Sequence, residues 1–104
     1  MTVKMKKLLV KVKANLILDT DADDELILGY IASALDYAES YQKVKYGNMK
    51  LPPTTEQAVI MLTSHLYESR DGSTGGFFSD YIGAVANVWQ TVNRLLTLEK
   101  RWDV

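Results

Sequence analysis

The longest regular pattern of apolar and polar residues follows an acidic stretch, from about Ala22 to about Gln42. Apolar residues recur there every three or four positions, which predicts an amphipathic helix. Asp21 is a suitable N-cap because its carboxylate can accept the free N–H groups of the first turn. The acidic residues that follow favour the positive end of the helix dipole. The centre of the predicted apolar face consists of Ile27, Ile31, Ala34, Ala38 and Tyr41.

This apolar face is wider than a single core requires. Leu26, Tyr30 and Tyr37 extend it on one flank, and Leu28 and Leu35 extend it on the other. The resulting arc is roughly 200° wide, whereas a surface helix needs a stripe of about 100°. Two explanations remain open. Either the helix is central and its own chain covers both sides, or one flank packs against another subunit.

Two periodicities compete near the N-terminus. Residues from Val10 to Leu18 are apolar at alternate positions, as in a strand, whereas Met5, Leu9, Val12 and Leu16 recur at helical spacing. Periodicity alone slightly favours the strand.

A second helix is predicted after the prolines. Leu51-Pro52-Pro53 stops the preceding element, because a residue before proline avoids the α region. The helix begins at the prolines or at Thr54, where Gln57 would complete a capping box. Met61 and His65 lie four residues apart on its less apolar face. Its buried face is expected to comprise Ala58, Val59, Leu62, Leu66 and Tyr67.

The segment from Asp71 to Gly83 holds four of the six glycines together with Phe77 and Phe78. We expect it to be a mobile loop that becomes ordered against a neighbouring protein. Helical spacing resumes at Val85, Val88, Trp89, Val92 and Leu96. Their β-branched content weakens this pattern, so only a short last helix is predicted, from about Thr91 to Lys100.

Length and composition limit the architecture. The 104 residues and 11.7 kDa suit one domain, spanning residues 1–104, with one modest core. The net charge of −1 gives no overall attraction to nucleic acid. The absence of cysteine excludes disulfides and thiolate metal sites, and it suits a reducing cytosol. Apolar runs are too short for a membrane span or a signal peptide, so we expect synthesis in the cytoplasm.

No group of residues resembles a reaction centre. Alternate acidic residues from Asp19 to Glu25 suggest a calcium loop, but the required glycine and glutamate positions do not match. His65 is the only histidine and has only Glu68 one turn away, without a nucleophile motif. The glycines of GSTGG lack the lysine and preceding strand of a phosphate loop. We therefore predict no catalytic residue, cofactor or metal.

Two groups of residues could instead bind partners. Lys4, Lys7 and Lys11 can contact DNA phosphates, although a run of lysines is also typical of a solvated helix face. Four aromatic residues are not interleaved with arginines, so we interpret them as anchors at a protein interface rather than as stacking platforms for bases: Phe77, Phe78, Trp89 and Trp102.

Taken in order, five segments resemble the phage head–tail connector family. They read VKANLIL, DTDADDELI, a helix ending YAESY, LPPTTEQAVIMLTSHLYESRD and VNRLLTLEKRW. The resemblance covers residues 10–71 well and residues 92–102 more loosely. It implies that VKANLIL is helical, which replaces the strand interpretation. It also implies an all-α subunit: a small bundle of about four helices with a long glycine-rich loop before the last helix.

The resemblance further implies a structural function in the virion neck. Roughly a dozen subunits would form a ring below the portal protein, extend the DNA channel and receive the next neck or tail-completion protein. DNA would be passing cargo only. We expect Leu26, Tyr30, Tyr37, Met61 and His65 at the subunit interface. Phe77, Phe78, Tyr81 and Trp102 would contact the portal or neck, and Lys4, Lys7 and Lys11 would contact DNA in the channel.

Two other classes of function remain as alternatives. A small helical DNA-binding regulator would use the basic N-terminal segment and show a steep dependence of binding on salt. A hydrolase of unfamiliar type is disfavoured by the lone His65. Gene neighbourhood would separate the alternatives, because a connector gene should lie just downstream of portal and capsid genes.

Overall fold

Within the residues that the structure describes, the chain forms four helices and no strand. The computed structural model describes residues 3–47, 49–69 and 78–100, and for residues 78–86 it describes the backbone alone. The helices are α1 (Val3–Leu16), α2 (Asp24–Gln42), α3 (Pro53–Glu68) and α4 (Phe78–Thr97). The prediction of an all-α bundle of about four helices is confirmed.

Helix α1 settles the conflict between the two N-terminal periodicities. Leu8, Leu9 and Val12 are buried, as expected for side chains three and four residues apart on one helix face. Val10, which alternates with Val12 in the strand pattern, is 68% exposed. Helical spacing therefore decides which residues enter the core, and the interpretation taken from the family resemblance is confirmed.

Helix α2 begins later than predicted and is capped differently. Its N-cap is Asp23 rather than Asp21, and Asp23 makes no side-chain capping hydrogen bond. The Asp21 carboxylate lies 2.8 Å from Lys13 Nζ, and the Asp23 carboxylate accepts a hydrogen bond from the Tyr67 hydroxyl. The predicted cap is wrong because these carboxylates bind side chains of other elements.

Most of the wide apolar arc of α2 is covered within the chain. Helix α2 packs against α1, α3 and α4. The predicted centre of its apolar face is buried at Ile27, Ile31, Ala34 and Ala38. Tyr41, also assigned to the centre, is only partly buried. Both flanks contain partly buried residues that pack against the core: Leu28, Tyr30, Leu35 and Tyr37. The explanation of a central helix accounts for these positions. Leu26 differs, since it is 41% exposed.

Helix α3 confirms the predicted start and buried face. It begins at Pro53, with Pro52 as N-cap, in agreement with the preference of proline for the first turn. Ala58, Val59, Leu62 and Tyr67 are buried and Leu66 is partly buried. Helix α3 contacts all three other helices, so additional positions of α3 are buried that the sequence pattern did not single out: Thr55, Ile60, Thr63 and Ser64.

Helix α4 corrects the largest error in the predicted elements. It runs from Phe78 to Thr97, not from Thr91 to Lys100. Residues 78–83, assigned to the loop, are helical, and residues 71–77 of that loop lie outside the described residues. The helical spacing of Val92 and Leu96 was the informative signal, since both are fully buried. Burial of the helix face that contains Val92 and Leu96 stabilises α4. This gain outweighs the low helix propensity of the β-branched residues, which costs less than about 1 kcal/mol per residue.

A buried glutamine links the C-terminal end of α2 to the rest of the bundle. Gln42 is 0% exposed. Its Nε2 donates to Thr55 Oγ1 at 2.8 Å and to the Leu96 carbonyl oxygen at 3.0 Å. Its Oε1 accepts the Tyr46 hydroxyl at 2.6 Å. Both amide hydrogens and the amide oxygen therefore have partners, which removes the cost of burying this polar group.

Candidate interaction surfaces

An aromatic contact joins α2 to α4 and includes two predicted interface residues. The Tyr37 hydroxyl donates to Asn93 Oδ1 at 2.6 Å, and its ring lies edge-on to Trp89 with centroids 5.2 Å apart. His65 of α3 also lies edge-on to Trp89, at 6.4 Å. The structure thus brings Tyr37 and His65 together on one tryptophan within the subunit. Edge-on aromatic contacts stabilise a fold by more than the apolar area that they bury accounts for.

The other predicted interface residues lie elsewhere on the subunit. Leu26 is in the first turn of α2 and is exposed, whereas Tyr30 and Met61 are partly buried against the core. The structure therefore does not gather all five residues into one exposed patch. Leu26 offers the most free apolar surface, and the role of the set at a subunit interface stays a prediction.

Two of the four residues predicted to contact the portal or neck fall on α4. Phe78 and Tyr81 lie in its first two turns. Phe77 and Trp102 lie outside the described residues. The predicted contact of these aromatic residues with the portal or neck stays a prediction.

The predicted DNA-contacting lysines line a groove at the N-terminal half of α1. The groove encloses about 400 Å³ between α1 and the segment that leads into α3. Four lysines and one glutamate surround apolar side chains there. The lining residues are Val3, Lys4, Lys7, Leu8, Lys11, Met49, Lys50, Leu51 and Glu56. We call this feature the lysine groove.

Two of the lysines in the groove also bind within the chain. Lys4 Nζ donates to the Gly47 carbonyl oxygen at 3.0 Å, and Lys11 Nζ lies 2.5 Å from Glu56 Oε1. Lys7 and Lys50 are exposed and have no ion-pair partner among residues 3–47, 49–69 and 78–100. The groove therefore retains a net positive charge, with Lys7 and Lys50 as its most available cations.

A second surface lies where α1 passes into α2. We call residues 17–25 the acidic joint, since five of its nine residues are Asp or Glu. Lys13, in the last turn of α1, lies 2.8 Å from Asp21 and 2.9 Å from Asp24. The hydrogen bond from Lys13 lowers the pKa of Asp21 below its ordinary value. The same bond, followed by the bond to Asp24, raises the pKa of Lys13.

The joint begins with an isoleucine in an unfavourable backbone conformation. Ile17 has φ of 57° and is 90% exposed. The bonds from Ile17 N–H to Ala14 and from Leu18 N–H to Lys13 form a Schellman motif, whose left-handed position is usually glycine. A left-handed conformation costs an L-residue about 1–2 kcal/mol, and a β-branched residue is rare there. Neither burial nor backbone preference explains isoleucine at this position.

The described part of the chain offers little else that could act chemically. Within it, no group of three or more histidine, aspartate or glutamate residues is placed to hold a metal ion. None of the four helices, as far as they are described, is long and apolar enough to cross a membrane.

The comparison with protein families gave one decisive result. Residues 6–93 match the family model of the phage gp6-like head-tail connector protein. The chain belongs to this family. The match spans most of α1, all of α2 and α3, and most of α4, so it confirms the resemblance found from the sequence motifs. No match was found among curated proteins or among solved structures.

Family membership assigns the general function. The protein is a phage head–tail connector, a structural component of the virion that joins head and tail parts. This assignment agrees with surfaces that can bind other proteins. Two residues were not singled out from the sequence: Ile17, which is exposed on the surface, and Gln42, which is buried in the core. Gln42 continues the row of Ala34 and Ala38 by helical spacing, which is a signal that could have revealed its burial.

Proposed function

We propose that this connector acts as a ring of roughly a dozen identical subunits between the portal and the neck or tail. The ring extends the DNA channel after packaging, and DNA passes through it as cargo. Its other partner is the downstream neck or tail-completion protein. Membership of the head–tail connector family over residues 6–93 is the observation that carries this proposal.

The surface of the subunit supports a role in assembly. Several large apolar side chains are well exposed at separate places on the described surface: Val3, Val10, Ile17, Leu26, Met49 and Leu98. Apolar surface of this kind is available for contacts with several neighbours, as a ring subunit between two other assemblies requires. We propose that Leu26 contributes to the contact between subunits and that Phe78 and Tyr81 face the portal or neck.

The alternative of a DNA-binding regulator gains no support from the lysines. Lys4 and Lys11 bind Gly47 and Glu56 of their own chain, so phosphate would have to compete with intrachain partners. A regulator would bind short duplex DNA with an affinity that falls steeply with salt. The connector requires no such affinity, because DNA only passes through the channel.

Purified protein, alone and mixed with the portal protein of the same phage, would test the proposal. We expect closed rings in electron micrographs and a single high-order oligomer in native mass spectrometry, either alone or on the portal. Failure to form rings or to bind the portal would contradict the proposed function. Tight binding of the free monomer to short duplex DNA would instead favour the regulator.

A further inference from the structure

We propose that the acidic joint of one subunit docks into the lysine groove of the next subunit, with Ile17 inserted between the lysines. This head-to-tail contact would close the ring, so the proposal rests on the proposed function. It assigns a partner to the residues of the joint and of the groove that remain exposed in the subunit.

The charges of the two surfaces are complementary. The lysine groove carries Lys4, Lys7, Lys11 and Lys50 against Glu56 alone. The joint carries five carboxylates, and Lys13 is the cation bound to it in the structure. Opposite potentials of this kind steer association and fix the register of a contact.

The apolar parts of the two surfaces are complementary as well. Ile17 is the first residue of the joint, which contains five acidic residues, and it is 90% exposed. The groove contains Val3 and Met49, which are also well exposed, above the buried Leu8 and Leu51. Insertion of Ile17 would remove apolar surface on both partners from water. It would also give a function to an isoleucine that the backbone disfavours at this position.

The positions of the two surfaces require a second copy of the chain. The lysines of α1 that line the groove lie at residues 4–11, whereas the joint starts beyond the opposite end of α1. Since an α-helix rises 1.5 Å per residue, Lys7 and Ile17 are separated by about 15 Å along the helix axis. Contact between two different surfaces of identical subunits is heterologous, and such contacts generate rings when the rotation closes.

A nucleic acid fits the groove less well than a second subunit. DNA phosphates would pair with the lysines, but a phosphate group offers no apolar surface to the exposed Val3 and Met49. The exposed Ile17 would also remain without a partner. The combination of a basic rim with an apolar floor therefore favours a protein segment that is both acidic and apolar.

Charge reversal on each surface tests the electrostatic part of the contact. One variant carries Asp19→Lys and Glu25→Lys in the joint, and another carries Lys7→Glu and Lys50→Glu in the groove. All four residues are exposed and have no ion-pair partner among the described residues, so folding should survive. We expect each variant alone to lose at least about tenfold in self-association, because like charges would face each other.

The two variants also provide their own rescue. A chain that carries all four substitutions restores opposite charges across every contact and should regain assembly. A mixture of the two variants restores them wherever the variants alternate, so it should regain assembly as well. Sedimentation at the protein concentration where the wild type forms rings, or on the portal if rings need it, would measure this. Loss of assembly without rescue would overturn the pairing, as would unchanged assembly of either single-surface variant.

Disulfide trapping tests the position of Ile17 directly, because the chain has no cysteine. A mixture of Ile17→Cys and Met49→Cys proteins should form a disulfide-linked heterodimer under mild oxidation. A matched mixture replaces Met49→Cys by Leu98→Cys, which is similarly exposed but lies outside the groove. Linkage of the first pair should exceed that of the second severalfold in non-reducing electrophoresis. Equal linkage of the two pairs would overturn the proposed contact.

These experiments separate this inference from the proposed function. If the wild type forms rings but the first cysteine pair links no better than the control, subunits meet through other surfaces and the connector ring stands. If no ring forms alone or on the portal, the proposed function fails first. Weakened DNA binding with intact assembly in the Lys7→Glu, Lys50→Glu protein would assign the groove to nucleic acid.

Discussion

The chain leaves α1 and α2 through the same backbone conformation, with φ of 57° at Ile17 and 59° at Lys43. At both ends an N–H beyond the helix donates to a carbonyl oxygen of the last turns, as left-handed C-terminal caps do. The two ends differ in what surrounds this cap. The end of α2 is bound into the core, whereas the end of α1 presents an apolar side chain to solvent.

Around the end of α2, polar groups are satisfied inside the subunit. Gln42 bonds to α3, to α4 and to Tyr46, and Glu39 accepts the Tyr46 backbone N–H at 2.8 Å. Around the end of α1, Ile17 is exposed, and so are Asp19, Asp21 and Glu25 of the joint. The end of α2 therefore stabilises the fold of the subunit, whereas the end of α1 is available to bind a partner.

The largest effect is expected from Gln42→Leu, which keeps the side-chain size at the end of α2 but removes its hydrogen bonds. Thr55 Oγ1 and the Tyr46 hydroxyl would lose a buried partner, whereas the Leu96 carbonyl oxygen would keep the Glu99 N–H at 3.2 Å. Each of the two unsatisfied groups costs about 1–3 kcal/mol, so we expect the free energy of unfolding to fall by about 2–6 kcal/mol. Urea unfolding followed by circular dichroism would measure it.

Gln57→Leu is the matched control, since Gln57 lies on α3 and is exposed. A surface substitution of this type should change stability by less than about 0.5 kcal/mol. If Gln42→Leu were as mild as the control, the end of α2 would not depend on its hydrogen bonds, and the contrast between the two helix ends would disappear.

A smaller effect of opposite sign is expected from Ile17→Gly at the end of α1. Glycine adopts positive φ without strain, and Ile17 loses little packing because it is exposed. The relieved strain of about 1–2 kcal/mol exceeds the entropic cost of glycine, about 0.5–1 kcal/mol. We expect the subunit to gain up to about 1 kcal/mol, or about 4–8 °C in Tm, while its assembly weakens. Calorimetry and sedimentation would measure the two effects.

Lys43→Gly provides the comparison at the end of α2. It should also remove the strain of a left-handed residue and raise Tm modestly. Assembly should be unchanged, because Lys43 lies outside both proposed contact surfaces. Equal loss of assembly in the two variants would mean that glycine loosens the subunit in general. The specific role of Ile17 would then be abandoned.

The sequence predicted the features of the fold that depend on periodic burial. Helical spacing identified the buried faces of α2 and α3, and the row Val92–Leu96 marked α4, although the predicted start was 13 residues too late. For α1, periodicity alone favoured the wrong element, and resemblance to the connector family corrected it. The cap assigned to Asp21 failed, because the partner of a polar side chain depends on tertiary neighbours: Asp21 pairs with Lys13 of α1.

The surfaces were harder to predict because they depend on tertiary neighbours and backbone angles. The lysines of α1 were noted from the sequence, but the groove forms only where α1 meets Met49–Leu51. No local motif indicates that Ile17 adopts positive φ, since glycine or asparagine is usual at that position. Tyr37 was expected at a subunit interface from the width of the α2 arc, yet its hydroxyl and ring contact Asn93 and Trp89 of α4.

The smallest effect is expected from Asp21→Asn. This substitution tests how much the ion pair between Lys13 and Asp21 stabilises the end of α1. The hydrogen bond from Lys13 lowers the pKa of the Asp21 carboxyl in the folded chain below 3.8, its ordinary value. Its contribution to stability is therefore present above about pH 4 and is lost as the pH falls through the lower, folded-state pKa. Asparagine does not titrate, so stability of the variant should decline less steeply than that of the wild type over this acidic range.

The urea concentration at which half of the protein is unfolded, measured at several pH values from about 2 to about 6, would report the difference in stability. Asp19→Asn is the control, because Asp19 belongs to the same joint but has no ion pair within the described residues. The stability of the Asp19→Asn protein should decline over the same acidic range as steeply as that of the wild type. Since Lys13 also binds Asp24 at 2.9 Å, the joint should remain in place in the Asp21→Asn protein. Loss of assembly in this variant at neutral pH would show that Asp21 faces the neighbouring groove itself, and that its pairing with Lys13 is exchanged for a lysine of the next subunit.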